Sequence, residues 1–181
     1  MLQRLKVIFI VLFLFIFYAQ TIVAQEVSPS ATPTLIEYQL PYPGLLPDHP
    51  LYFLKVLRDS LTGFLISSPL KKAEFELLQS DKNLQAAVYL SEQNKSSDMI
   101  VKTLQESESN FTKSIEETKK AKTQGIYIID FVAKITIANL KHQEIVSNLS
   151  KSAKQEDKQK FETEFKKIKD LDVIIKQLDS K

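Results

Sequence analysis

The chain has 181 residues, no cysteine and a formal net charge of +2. Without cysteine there is no disulfide framework, no thiolate metal site and no lipid-modified cysteine. The small net charge argues against the clustered basic surface on which nucleic-acid binding rests.

Arg4 and Lys6 precede an unbroken apolar run over residues 7–17, and Ile22, Val23 and Ala24 put a small residue before a cleavage point. This is the pattern of a secretory signal cut after Ala24. Uncut, residues 7–24 carry Gln20 and Thr21 as their polar members, about the minimum length to span a bilayer, and the segment is then an anchor. With Arg4 and Lys6 on the cytoplasmic side, the rest of the chain faces out in either case. The expected location is therefore extracytoplasmic, either secreted or anchored to the cytoplasmic membrane by residues 1–24. Those two cations account for the net charge, so the chain beyond Ala24 is formally neutral.

Residues 25–47 hold Pro29, Pro33, Pro41, Pro43 and Pro47, which reads as an extended, partly polyproline tether. Its second half is too apolar for a free linker, so Leu35, Ile36, Tyr38, Leu40, Tyr42, Leu45 and Leu46 are expected to lie along the surface of a helical bundle. Docking on a partner's aromatic groove is the alternative. Residues 48–181 form the domain proper. Asp48 or His49 caps a first short helix behind Pro50, with an apolar stripe of Leu54, Leu57, Leu61, Phe64 and Leu65. Ser68 and Pro69 end it and start a second helix to about residue 93, with Leu70, Ala73, Leu77, Leu84 and Val88 on one face.

Ser96 or Ser97 caps a third helix to about residue 124. Its stripe of Ile100, Leu104, Phe111 and Ile115 is thin, so it is expected to be the most exposed helix. Gly125 fits the position past its C-terminus. The fourth helix, residues 126–152, is the most apolar and is expected to be central, and a fifth carries Phe161, Phe165, Ile168, Leu171, Ile175 and Leu178. The fold class is all-α: an elongated antiparallel bundle of four long helices preceded by one shorter helix, behind an N-terminal signal or anchor.

Two stretches carry a resemblance. LPDHPLYFLK at residues 46–55, a Ser-Ser-Pro break at 67–69, and PLKKAEFELLQSDKNL at 69–84 resemble the bacterial family of domain of unknown function 5667. The resemblance covers roughly residues 38–150 and implies a helical domain outside the cytoplasm, behind a signal or membrane segment. Similar openings occur in the outer parts of some anti-sigma factors. It brings no catalytic residues with it.

Three residues fall on apolar stripes where polar groups need a reason: Asp81 between Leu77 and Leu84, Glu108 between Leu104 and Phe111, and His142 between Ala138 and Ile145. One of the carboxylates is expected to meet His142 in an interior polar layer that fixes helix register. The plainer expectation is a structural histidine, with both carboxylates at stripe edges in water. His49 is the only other histidine, and no Glu-x-x-His pair or nucleophile elbow occurs, so no metal, cofactor or catalytic residues are assigned. The expected function is non-enzymatic: an interaction or scaffold module for a protein partner, touching the membrane only through residues 1–24 if these are retained. The alternative is an envelope chaperone or stress sensor that clasps unfolded chains, which requires an exposed apolar groove beside the thin third helix.

Overall fold

A computed structural model describes residues 37–179, and their regular elements are five helices. These are α1 (Tyr52–Leu65), α2 (Pro69–Glu92), α3 (Ser97–Thr123), α4 (Ile129–Ser152) and α5 (Lys158–Asp179). The leader and the first part of the tether, with Leu35 and Ile36, lie outside the described residues. The long helices have 24, 27, 24 and 22 residues. At 1.5 Å per residue they run about 33 to 40 Å. They form two antiparallel hairpins, α2–α3 and α4–α5, joined by α3 on α5 and α2 on α4. Around the bundle the order is thus α2, α3, α5, α4.

Local chemistry sets the breaks. Ser68 is extended and Pro69 takes the first position of α2, where its missing N–H has no partner to lose. Asn94, at φ +55, reverses the chain after α2, and Lys95 N–H closes back on the Leu90 carbonyl at 2.9 Å. The Ser96 hydroxyl then accepts from Met99 N–H at 3.4 Å and starts α3. Gly125, at φ +73, ends α3, and Ile126 N–H returns to the Ala121 carbonyl at 3.0 Å. That reversal consumes residues 126–128, so α4 begins three residues later than its apolar pattern does.

The core falls into two clusters. One gathers Leu77, Phe111, Ile115, Ile135, Leu171 and Ile175, and the other Leu84, Leu90, Leu104, Val146, Phe161 and Ile168. Along α2, α3 and α4 the switch from one cluster to the other passes a buried polar residue, Asp81, Ser107 and His142 in turn, whereas on α5 the buried Glu164 lies within the second cluster, between Phe161 and Ile168. The bundle has a polar waist.

Three expectations are corrected. Far from being the most exposed helix, α3 buries ten residues, as α2 does, whereas α4 buries eight and leaves Ile129, Ile137 and Leu140 exposed. Hydroxyls explain the difference. Ser80 donates to the Ser107 carbonyl at 2.7 Å, Ser107 to the Ser80 carbonyl at 2.8 Å and Ser114 to the Ala73 carbonyl at 2.8 Å. Small polar side chains let the two backbones approach closely, so a thin apolar stripe is enough. The other correction is α1, whose stripe points away from the bundle. Leu54, Leu57, Leu61 and Phe64 are 48%, 56%, 55% and 84% exposed, while Lys55 and Gly63 are buried. The inward face is polar. The Tyr52 hydroxyl donates to Glu106 of α3 at 3.1 Å, and the Lys55 ammonium lies 5.2 Å from the centre of the Tyr52 ring. Gly63 permits the approach to α2, since a Cβ there would stand 3.1 Å from Phe75 Cε1.

Candidate functional site

The polar waist is built from three chain segments. Asp81 and His142 are placed opposite each other by α2 and α4, and the third member comes from the strap, residues 37–47. Tyr38 packs on the first apolar cluster and Leu40 on the second, so the strap crosses the waist. Pro43 is buried beyond it, the Tyr42 ring stands edge-on to Tyr89 at 6.5 Å, and Asp48 pairs with Lys95 at 2.7 Å at the α2–α3 turn. Of the residues expected to lie on the bundle, Tyr38 and Leu40 do so, whereas Tyr42 and Leu45 stay exposed.

At the crossing, the Tyr38 hydroxyl donates to Asp81 Oδ2 at 2.6 Å, and His142 Nε2 lies 2.9 Å from Asp81 Oδ1. A carboxylate only accepts, so the imidazole carries its proton on Nε2 in this contact. Phe111 of α3 meets the imidazole edge-on at 4.9 Å. Burial holds the Tyr38 hydroxyl protonated far above the usual tyrosine range, reinforced by the hydrogen bond to Asp81 and its charge. The side chains of His142 and Asp81 are 1% and 6% exposed. The pair is thus closed to solvent in the folded bundle.

Glu108 does not join this layer. It follows Ser107, which holds the waist position, and the helical step of one residue turns it toward α5. There it shares a hydrogen bond with Glu164. Gln105 Nε2 donates to Glu164 Oε1 at 3.1 Å, and Lys167 Nζ lies 3.1 Å from Glu164 Oε2 and 3.8 Å from Glu108 Oε2. Burial pushes the Glu108 carboxyl up to about 7, helped by the shared hydrogen bond and against the pull of Lys167. Of the three candidate residues, Asp81 and His142 meet and Glu108 belongs to a second cluster.

Sequence reasoning missed Tyr38 and Glu164. Tyr38 and Leu40 follow the two-residue period of an extended segment with one face down, a usable signal that breaks at the exposed Tyr42. Glu164 lies three residues after Phe161 and four before Ile168, on the α5 stripe itself.

The second candidate surface is α1. Its inner face leaves a cleft of about 730 Å³ against α2 and α3, lined in part by Lys55, Asp59, Glu76, Gln79, Asn83 and Glu106. Its outer face carries Phe53, Leu54, Leu57, Leu61, Phe64 and Leu65, all exposed. Among the described residues no helix is long and apolar enough to cross a membrane.

A family model described as a domain of unknown function, DUF5667, matches residues 44–171. The chain belongs to that family. The DUF5667 match takes in α1 to α4 and reaches into α5, so it includes both the outward helix and the Asp81–His142 pair, while Tyr38 lies before it. No curated protein and no solved structure matches the chain.

Proposed function

We propose that this DUF5667 protein is a non-enzymatic interaction module working outside the cytoplasm, and that it offers α1 to a protein partner. The orientation of α1 carries the proposal. An amphipathic helix on a folded domain turns its apolar face to the core. Here the polar face is turned inward, with Tyr52 bonded to Glu106 and Lys55 buried, leaving a row of large apolar side chains in water. Exposed apolar surface of this extent marks a binding site. The alternative role, clasping unfolded chains, asks for a groove. The exposed apolar surface is a convex ridge one helix wide, which suits a partner helix better.

The test places a photo-crosslinking residue at Leu57 of the full chain in the cells that produce it. A polypeptide adduct is expected that disappears when Leu61→Glu is added and does not form from Lys166 on α5. Adducts to lipid alone, or none, would refute the proposal. The extracytoplasmic placement rests on residues 1–24 and is tested by fractionation with N-terminal sequencing. A chain recovered outside the cell should begin at Gln25; a chain recovered in membranes should retain residues 1–24. Recovery from the cytosol counts against both.

A further inference from the structure

We infer that the partner seated on α1 is α1 of a second copy, in a parallel two-fold pair; this rests on α1 being the docking surface. The spacing of the exposed residues identifies the kind of surface that fits. Written as a heptad, Leu54 and Leu61 take position a, and Leu57 and Phe64 take position d. The residues turned to the bundle, Tyr52, Lys55, Asp59 and Gly63, take only b, c and f. This is how a helix in a coiled coil is divided, with a and d inserting into the holes of a facing helix and b, c and f on the far side. The bundle already occupies the far side of α1, and the seam is exposed, bordered by the strap at Leu54 and by the cleft against α2 and α3 at Phe64.

Area argues for a second copy. Six side chains from 48% to 84% exposed leave on the order of 800 Å² bare, about what each partner contributes to a stable interface. A single copy of this chain carries a matching seam of the same length, about 21 Å for 14 residues. Such a short seam would be marginal between free peptides. Here each helix is already formed and held on its own bundle.

Charge selects the direction. Arg58 sits at position e, midway along α1, with its side chain 65% exposed and paired to Asp59 at 2.7 Å. Antiparallel pairing sets e against e and brings two Arg58 side chains together. Parallel pairing sets g beside e, so Phe53 of one copy lies beside Arg58 of the other, a favourable cation–π arrangement. A lipid surface fits less well. Interfacial helices present a basic polar face, whereas the polar face of α1 is occupied by α2 and α3, and Arg58 is its one exposed cation.

The chain has no cysteine, so single cysteines can be read without background. In the full chain under mild oxidation, Leu54→Cys and Leu61→Cys should each link most of the protein at twice its mass, reversibly by thiol, while Lys166→Cys on α5 should not. Linking at Leu61 but not at Leu54 would overturn the parallel order. Absence of linking at both would overturn the parallel pair, and equal linking from Lys166→Cys would overturn the seam on α1. The double variant Leu57→Glu, Leu61→Glu replaces side chains that are exposed in one copy. It should keep the helix content and lower the sedimentation mass twofold; an unchanged mass refutes the pair. The photo-crosslinker at Leu57 separates this inference from the proposal beneath it. Adducts to a different polypeptide alone sink the second copy and leave the interaction module standing. Adducts to lipid alone sink both.

Discussion

Asp81 accepts from two donors that reach it from different parts of the chain, so its replacement strands both. Asp81→Leu leaves the Tyr38 hydroxyl and His142 Nε2 buried without a partner, and is expected to cost about 2–4 kcal/mol. Tyr38→Phe removes one donor and no volume, at about 1–2 kcal/mol. Urea unfolding measures both, and a gain in stability on Asp81→Leu would show that the polar layer contributes nothing. Glu108 gives a pH signature of its own. Its carboxyl is raised from 4.5 to about 7 in the folded chain, among Glu164 and Lys167 from α5 and Gln105 from α3. The folded state therefore holds a proton that the unfolded state releases between those values. The contribution is complete below pH 4.5 and is lost as pH rises through about 7. Melting temperature should fall over that window, and Glu108→Gln should flatten the slope; an unchanged slope would mean that the shared proton is not there.

Among the elements, the four long helices and their breaks were legible, because a 3.6-residue period, Pro69, Ser96 and Gly125 are local signals. A meeting of His142 with one of two stripe carboxylates was legible too, but which of Asp81 and Glu108 it would be was not. Burial by small residues was not. Ser80, Ser107 and Ser114 look solvent-facing in a hydropathy pattern, yet they decide how closely α2 and α3 approach. Ser107→Ala should lose about 1 kcal/mol in hydrogen bonding while keeping that spacing. Ser107→Leu must push the helices apart and should cost about 3 kcal/mol or more; comparable unfolding midpoints for the two would contradict the close seam. The direction of α1 was hidden for another reason. Periodicity reveals that a helix has an apolar face but not which neighbour that face meets, and here the polar side won the bundle through Tyr52, Lys55 and Gly63.

Over the whole molecule, the two apolar clusters lie on either side of the waist but share all four long helices. Ile135 and Leu84, one from each cluster, have no exposed surface. Ile135→Ala and Leu84→Ala are each expected to cost about 2–5 kcal/mol. Both should shift one common unfolding transition, since neither cluster owns a helix of its own. Two separate transitions would mean that the waist divides the bundle into independent units.

The strap has a mechanical consequence. Tyr38 is fixed at the middle of α2 and not at an end of the bundle, so a load entering through the strap meets its bond to Asp81 first. Such a load peels the strap off contact by contact, first the Tyr38 hydroxyl, then Leu40, Pro43 and the Asp48–Lys95 pair, before any long helix bears tension. Each released residue adds slack, and the first to let go also unseats a donor from Asp81. Under such a load the strap is a fuse that yields early, and whose yielding is felt in the interior of the bundle.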